Sequence, residues 1–372
     1  MNRIKEKWNH IPVTVKVSTA YTMCSILQRG LSFITLPLFA RLLTTTQYGQ
    51  VTIFNSWSGI FSIFLTLNLA YGSFSTAMVK FEEDRKGYIS SVEGICVVLS
   101  VVFLIVYLPF NHIWNSIFEL PTFLVCLMVL EILCSTATQL WSGEKRFEYK
   151  YISVVAITLL SSAVSPIIQY IFVSHAEEKG YARIIGAAFT TCIIGGCFFI
   201  YNAVQGKKLF NKKYWEYALG FNVPLLAYYL SQTIFNQSDR IMIGRIVGTD
   251  KAAIYGVAYT LAMMLNFVLN AINNSYVPWY YGKIKEGKLI DNKNVSLGIA
   301  AFMALLLSGV IWFAPEIILV LAGPQYAEAK YVVPPVAISL LLLFYSQMFI
   351  NVEFYYEEKK KLVWSSITCV VF

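Results

Sequence analysis

In a chain this apolar, the polar side chains set inside hydrophobic runs are the first candidates for chemistry. One stretch, residues 231–259, reads SQTIFNQSDRIMIGRIVGTDKAAIYGVAY and concentrates Gln232, Asn236, Gln237, Ser238, Asp239, Arg240 and Arg245. Each desolvated polar or charged group costs roughly 1 to several kcal/mol, so lipid would reject that cluster. It must face a wet cavity, a protein interior or the membrane edge. Arg29 sits near the centre of an apolar run with Gln28 before it. A central arginine marks an interior position, either a functional one or an ion pair with Glu93 or Glu131. Asn266, Asn270, Asn273 and Asn274 fall on one helical face, at i, i+4, i+7 and i+8. Four amides on one face need many hydrogen-bond partners, and a cavity holding water or sugar hydroxyls supplies them. Arginine presents a permanently charged fork of donors suited to oxyanions, above all phosphate. Arg29 and Arg240 are therefore the candidate anion ligands, with Asp239 and Asn236 beside Arg240, and Asn266, Asn270 and Asn274 the candidates for sugar contacts.

Hydroxyl stripes accompany them: Asn55, Ser58, Ser62 and Thr66; Glu131, Ser135, Thr138 and Ser142; and Thr158, Ser161, Ser162, Ser165 and Gln169 with Pro166. Serine and threonine stripes are commonly the packing glue of membrane helices, and the first and third of these read that way. Glu131 is deep enough to face inward, whereas Glu93 lies about one turn from a helix end. Tyr71, Tyr228, Tyr229, Tyr276, Trp279 and Tyr280 could stack on sugar rings, although Trp279 and Tyr280 fit an interfacial aromatic belt better.

The elements that must position these groups follow from composition. The 372 residues are 57% hydrophobic and 13% charged, against about 25% charged in soluble domains. That is a polytopic, all-α membrane protein. Runs of ~20 apolar residues place spans near 17–40, 48–70, 88–110, 118–141, 151–173, 182–204, 217–246, 252–278, 295–314 and 331–352. An eleventh begins near Leu362 and is cut by the end of the chain, which is expected to be a fragment. The segment 315–322 is too short to span and should be an interfacial turn. With the N-terminus cytoplasmic, 21 Lys and Arg fall on the cytoplasmic side and seven on the other. Span count and orientation thus support each other. The net charge of +8 reflects this topology, not nucleic-acid binding.

Landmarks recur about 206 residues apart: Arg41 and Arg245, Tyr48 with Gly49 and Tyr255 with Gly256, Pro109 and Pro315. Pro121 and Pro335 follow, as do the acidic-basic triplets at Glu144 and Glu358. This order predicts two parallel six-helix halves, 1–206 and 207–372, the second incomplete. The seven cysteines lie in apolar runs without ligand or disulfide spacing, and the three histidines sit in predicted loops. No metal site or cofactor is expected. No GxxxxGK[ST] loop occurs, which excludes an intrinsic P-loop ATPase. The outer loop at 41–47 lacks the acidic residues a membrane glycosyltransferase would need.

The stretches LPLFARLLTTTQYGQ, SDRIMIGRIVGTDKAAIYGVAY and FAPEIILVLAGPQYAEA resemble polysaccharide repeat-unit flippases, the Wzx/PST type of the MOP exporter superfamily. The resemblance covers nearly all of the chain and implies two helical bundles working by alternating access. It implies an undecaprenyl-diphosphate-linked oligosaccharide as substrate, moved across the bacterial cytoplasmic membrane for O-antigen, capsule or exopolysaccharide assembly. A polysaccharide polymerase and glycosyltransferases would be its partners. A proton or sodium gradient could act through Glu131 or Asp239. Two alternatives are a MATE-type cation-coupled drug antiporter, which needs a more acidic cavity, and a non-transporting scaffold of a polysaccharide assembly complex.

Overall fold

The structure is a computed structural model that describes residues 13–263, 265–285 and 289–355. The N-terminal basic segment 1–12 and the expected eleventh span lie outside the described residues. Those described are helical throughout, with no strand among them. The helices are α1 (Val13–Leu42), α2 (Thr45–Thr66), α3 (Phe74–Lys80), α4 (Arg85–Tyr107), α5 (Asn111–Phe118), α6 (Thr122–Phe147), α7 (Tyr151–His175) and α8 (Lys179–Gly206). They continue as α9 (Lys212–Asn222), α10 (Leu226–Ile246), α11 (Thr249–Met263), α12 (Asn266–Lys285), α13 (Leu289–Trp312), α14 (Ala314–Leu321) and α15 (Ala329–Tyr355).

Each of the ten complete expected spans overlaps helix, and the all-α class holds. Among the described residues seven segments are long and apolar enough to cross a membrane: Thr19–Leu42, Glu82–Phe118, Thr122–Phe147, Tyr151–His175, Lys179–Gly206, Asn294–Trp312 and Ala329–Met348. Large apolar side chains on them stand exposed, among them Ile105, Ile152, Ile200 and Leu305. Water would penalise such a surface, and lipid accommodates it. The second, seventh and eighth expected spans fall short by length or apolarity. Two of these are also broken. The expected helix over 217–246 divides between α9 and α10 at Pro224, which has no N–H to donate and whose ring crowds the preceding turn. The expected helix over 252–278 divides between α11 and α12, where Leu265 N–H turns back to the Ala262 carbonyl, 3.0 Å away. The fourth span starts later than expected because Pro121, in extended conformation, caps it. It also runs on through Glu144, Lys145 and Arg146, which are helical. The short segment at 315–322 forms α14.

By packing, the chain forms two compact units, residues 1–35 with 50–242 and residues 36–49 with 243–372. In the first, α4 and α6 contribute to two apolar cores. One gathers Phe54, Phe61, Leu124, Met128 and Ile184. The other joins Met78, Tyr88, Ile89, Leu140 and Tyr214. Close backbone approach makes this packing possible. A Cβ on Gly195 of α8 would stand 2.2 Å from the Cys134 carbonyl oxygen of α6. One on Gly186 would stand 2.9 Å from Gln169 Cα of α7. Small residues at such crossings are the usual device of membrane helices, since lipid gives no hydrophobic drive between them. Between α4, α6 and α8, buried Glu93 accepts from Asn202 Nδ2 at 2.7 Å, and the same amide donates to the Ala137 carbonyl at 3.2 Å. Asp84 caps α4 through Gly87 N–H and accepts from Lys208 and Tyr214, both at 2.6 Å, which ties the basic linker to the bundle. Burial, followed by the hydrogen bond to that carboxylate, pushes the Tyr214 phenol up to about 12.

In the second unit, Thr44 and Gln47 cap α2 reciprocally. Thr44 N–H donates to Gln47 Oε1 at 3.1 Å, and Gln47 N–H to Thr44 Oγ1 at 3.2 Å, a capping box with Gln at the third position. Arg41 donates to the Val320 carbonyl at 2.7 Å, and Gln325 donates to the carbonyls of Ala40 and Leu43. Tyr48 packs edge-on against buried Tyr326, with centroids 5.8 Å apart. Ala262, Leu269, Met303, Val336 and Phe344 form the core of this unit.

Candidate functional site

The first unit holds a cavity of about 380 Å³ between α6, α7 and α8. From α6 it takes Ser135, Thr138, Gln139, Trp141 and Ser142. The α7 wall gives Ile157, Thr158, Ser161, Ser162 and Ser165, and α8 closes it with Thr190, Thr191 and Ile194. The lining contains nine hydroxyls, one amide and no charged side chain. Helical periodicity explains the assembly. On α6 and α7 the hydroxyl residues recur at spacings of three and four, so each helix presents one polar stripe. The Gly195 contact draws α8 to α6 and the Gly186 contact draws it to α7. The stripes of α6 and α7 and the threonine pair of α8 therefore meet around one space, bordered by Trp141, which stacks on Phe198 at 4.2 Å between centroids.

Hydrogen bonds fix the orientation of most of these hydroxyls. Ser161 donates to the Ile157 carbonyl at 2.8 Å and Ser162 to Thr158 at 2.7 Å. Thr138 donates to Cys134 at 3.2 Å and Ser142 to Gln139 at 3.0 Å. Thr190 donates to Gly186 at 2.9 Å and Thr191 to Ala187 at 3.1 Å. Amides reach in from the sides. Gln28 of α1 donates to Ser162 Oγ at 3.0 Å, and Gln139 to Ser135 Oγ at 3.2 Å. At the other end Arg183 donates to Gln169 at 3.4 Å, and Gln169 to Ser165 Oγ at 2.9 Å.

Of the candidate residues, Glu131 lies on α6 one turn from Ser135, against Thr191. It borders the cavity without lining it. Arg240 is half-buried on α10, where its guanidinium donates to Gln237 Oε1 at 2.7 Å and to the Asn236 carbonyl at 3.1 Å. Asn236 is exposed and its amide donates to the Gln232 carbonyl at 2.7 Å, while Asp239 is exposed beside them. Asn266 is half-buried and donates to Met263 Sδ at 3.0 Å. The backbones of Arg29, Asn270 and Asn274 are helical, and their side chains lie outside the described residues. Gln28, the neighbour of Arg29, touches the cavity wall directly.

The sequence reading took the fifth-span hydroxyls for packing glue and passed over Thr190 and Thr191. The structure sets all of them on the cavity. Hydroxyl residues at helical spacing on α6 and α7 were the signal available, and the adjacent Thr190 and Thr191 carried no such spacing.

Among the described residues no group of three His, Cys, Asp or Glu is placed to hold a metal ion. The turn below the cavity, between α6 and α7, carries Lys145 against Glu144 at 2.9 Å and Glu148 at 3.0 Å, with Lys150 2.9 Å from Glu148. Arg146 sits 5.2 Å over the Tyr21 ring of α1.

Comparison with known proteins places this arrangement. The chain is 23% identical to an Lsg locus protein of Haemophilus influenzae, covering 96% of this chain and 88% of that one. A second membrane protein of the same organism is 22% identical, with 95% and 87% covered. Among solved structures, an inward-facing multidrug resistance MATE family transporter of the MOP superfamily superposes with a TM-score of 0.64 at 15% identity. That match covers 93% of this chain and 83% of the transporter. A MATE protein in complex with MaD3S gives 0.55 at 13% identity, over 95% and 84%. The fold is that of these transporters, and the polysaccharide family expected from the helix-end motifs is borne out. Residues 15–281 match the family described as polysaccharide biosynthesis protein, and the chain belongs to that family.

Proposed function

We propose that the protein is a flippase that moves a polyprenyl-diphosphate-linked oligosaccharide from the cytoplasmic to the outer leaflet of a bacterial cytoplasmic membrane. It does so by alternating access and not by catalysis. The observation that carries this reading is the uncharged, hydroxyl-lined cavity inside a transporter fold, in a chain of a polysaccharide biosynthesis family. A cationic drug would call for an acidic lining, and this one has no carboxylate. The positive-inside bias supports a cytoplasmic N-terminus. The turn with Lys145, Arg146 and Lys150 is then cytoplasmic, and the cavity lies in the half of the bundle nearest the leaflet where the substrate is made.

In this reading the chain consists of two repeated halves, 1–206 and 207–372. Arg29, next to Gln28, and Arg240 with Asn236 and Asp239, hold the diphosphate. Asn266, Asn270 and Asn274 line part of the saccharide path, and Glu131, at the cavity margin, couples transport to an ion gradient. The product feeds O-antigen, capsule or exopolysaccharide assembly, alongside a polymerase and glycosyltransferases.

The test is leaflet exchange of a fluorescent polyprenyl-diphosphate oligosaccharide in vesicles holding the full chain. Exchange above that of protein-free vesicles, lost in Arg29→Ala and Arg240→Ala, is the expected result. No exchange at all would leave the scaffold reading, and full exchange in both variants would remove the arginines from the site.

A further inference from the structure

Within the α6–α8 cavity the direction of the hydrogen bonds is unequal. Six of the nine hydroxyls, Thr138, Ser142, Ser161, Ser162, Thr190 and Thr191, already donate their proton to a carbonyl of their own helix. A hydroxyl has one proton and two lone pairs. Once the proton is committed to the helix, the oxygen can only accept. Pro166 adds to the imbalance, because it has no N–H to give the Ser162 carbonyl four residues earlier. The indole and alkyl groups of the lining add apolar surface, and there is no cation or anion among the lining residues.

We infer that this cavity receives uncharged sugar rings, which bind by donating hydrogen bonds from their hydroxyls, and that the diphosphate of the substrate stays outside it. Each sugar hydroxyl carries a proton to give. An ionised phosphate or carboxylate has only lone pairs, and here it would meet the lone pairs of most of the wall's hydroxyls, desolvated and with no cation among the lining residues. A volume of about 380 Å³ is at the lower end of small-molecule pockets, which run about 300–1,000 Å³. It suits a short piece of a saccharide and not a whole repeat unit. Trp141 offers that piece an apolar face. This inference rests on the saccharide reading above and narrows it to one part of the substrate. It also separates two jobs: sugar recognition in the α6–α8 cavity, and anion binding by arginines elsewhere.

Saturation-transfer NMR on the full chain in nanodiscs tests it, with four probes: methyl glycosides of common neutral hexoses, their monodeoxyfluoro analogues, methyl glucuronide and inorganic diphosphate. A neutral glycoside should give saturation transfer, and the glucuronide and diphosphate should not compete with it. Fluorine cannot donate, so replacing at least one hydroxyl by fluorine should abolish the signal. A wall made of donors would tolerate that change. Ser142→Ala combined with Ser161→Ala removes two acceptors from opposite walls, and should weaken binding roughly tenfold to a hundredfold. Both changes raise helix propensity, so the variant keeps its fold, which an unchanged elution profile and melting temperature confirm. Trp141→Leu gives a second variant, expected to weaken the glycoside without restoring diphosphate binding. The inference is overturned if no neutral glycoside binds, if diphosphate competes, if all fluoro analogues bind as well as their parent, or if the serine variant binds normally. Its failure is separable from that of the flippase reading. Leaflet exchange without glycoside binding here overturns only this inference, and glycoside binding without exchange overturns only the flippase.

Discussion

Gly195 and Gly196 are adjacent on α8, and the same substitution should have opposite effects at the two. An alanine Cβ at 195 would lie 2.2 Å from the Cys134 carbonyl oxygen, 2.5 Å from its carbonyl carbon and 2.8 Å from its Cβ. The shortest comfortable carbon–oxygen approach is about 3.3 Å, so α8 and α6 must part by roughly 1 Å. The obstacle is backbone and cannot rotate away. Overpacking of this kind costs about 1–3 kcal/mol, at the upper end here because a whole helix must move. At roughly 2 °C per kcal/mol for a domain of this size, Gly195→Ala should melt about 6 °C below the parent. At 196 nothing stands within 4 Å of the added carbon. Alanine there gains helix propensity and removes freedom from the unfolded chain, which is worth up to about 1 kcal/mol. Gly196→Ala should therefore melt at or slightly above the parent. The assay is thermal unfolding of the purified full chain in one detergent, read by intrinsic fluorescence. Leaflet exchange by the same variants after reconstitution into vesicles should fall only for Gly195→Ala, because the α6–α8 distance sets the cavity. Equal melting shifts for the two variants would refute the packing argument.

Asn202→Leu should lower stability by about 2–3 kcal/mol, because it strips the buried Glu93 carboxyl and the Ala137 carbonyl of their shared donor. Adding Glu93→Met should recover part of that loss in a double-mutant cycle read by the same melts. Lys251→Ala breaks an exposed ion pair with Glu328 and should leave the melting temperature unchanged. Burial pushes the Glu148 carboxyl up, but hydrogen bonds from Lys150 and Lys145 more than offset this and hold it below the usual carboxylate range. Its contribution is therefore complete above the unfolded value of about 4.3 and disappears as pH falls through the lower folded value. Glu148→Gln should melt below the parent at about pH 6 and level with it near pH 3, in melts run across that range.

The sequence alone settled whatever depends on local composition. Long apolar runs dictate membrane helices, since no other structure satisfies the backbone in lipid. The capping pair Thr44 and Gln47 and the start of α6 at Pro121 are local chemistry within a few residues, although apolarity alone began that span at 118. The motif around Asp239 and Arg240 was enough to suggest the family. The break at Pro224 was not read from the sequence, because hydropathy runs one helix over 217–246 and Pro37, Pro166, Pro334 and Pro335 all lie inside unbroken helices. What the sequence could not decide was which polar stripes share a space. Ser161, Thr138 and Thr191 look alike in one dimension, as glue or as lining, because a hydroxyl bonded to its own helix satisfies either role. Only the close crossings at Gly186 and Gly195, between different helices, turn the stripes of α6 and α7 and the threonine pair of α8 toward one another and leave room between them. The acceptor character of that room is likewise tertiary. It arises when hydroxyls already committed to their own helices are brought face to face.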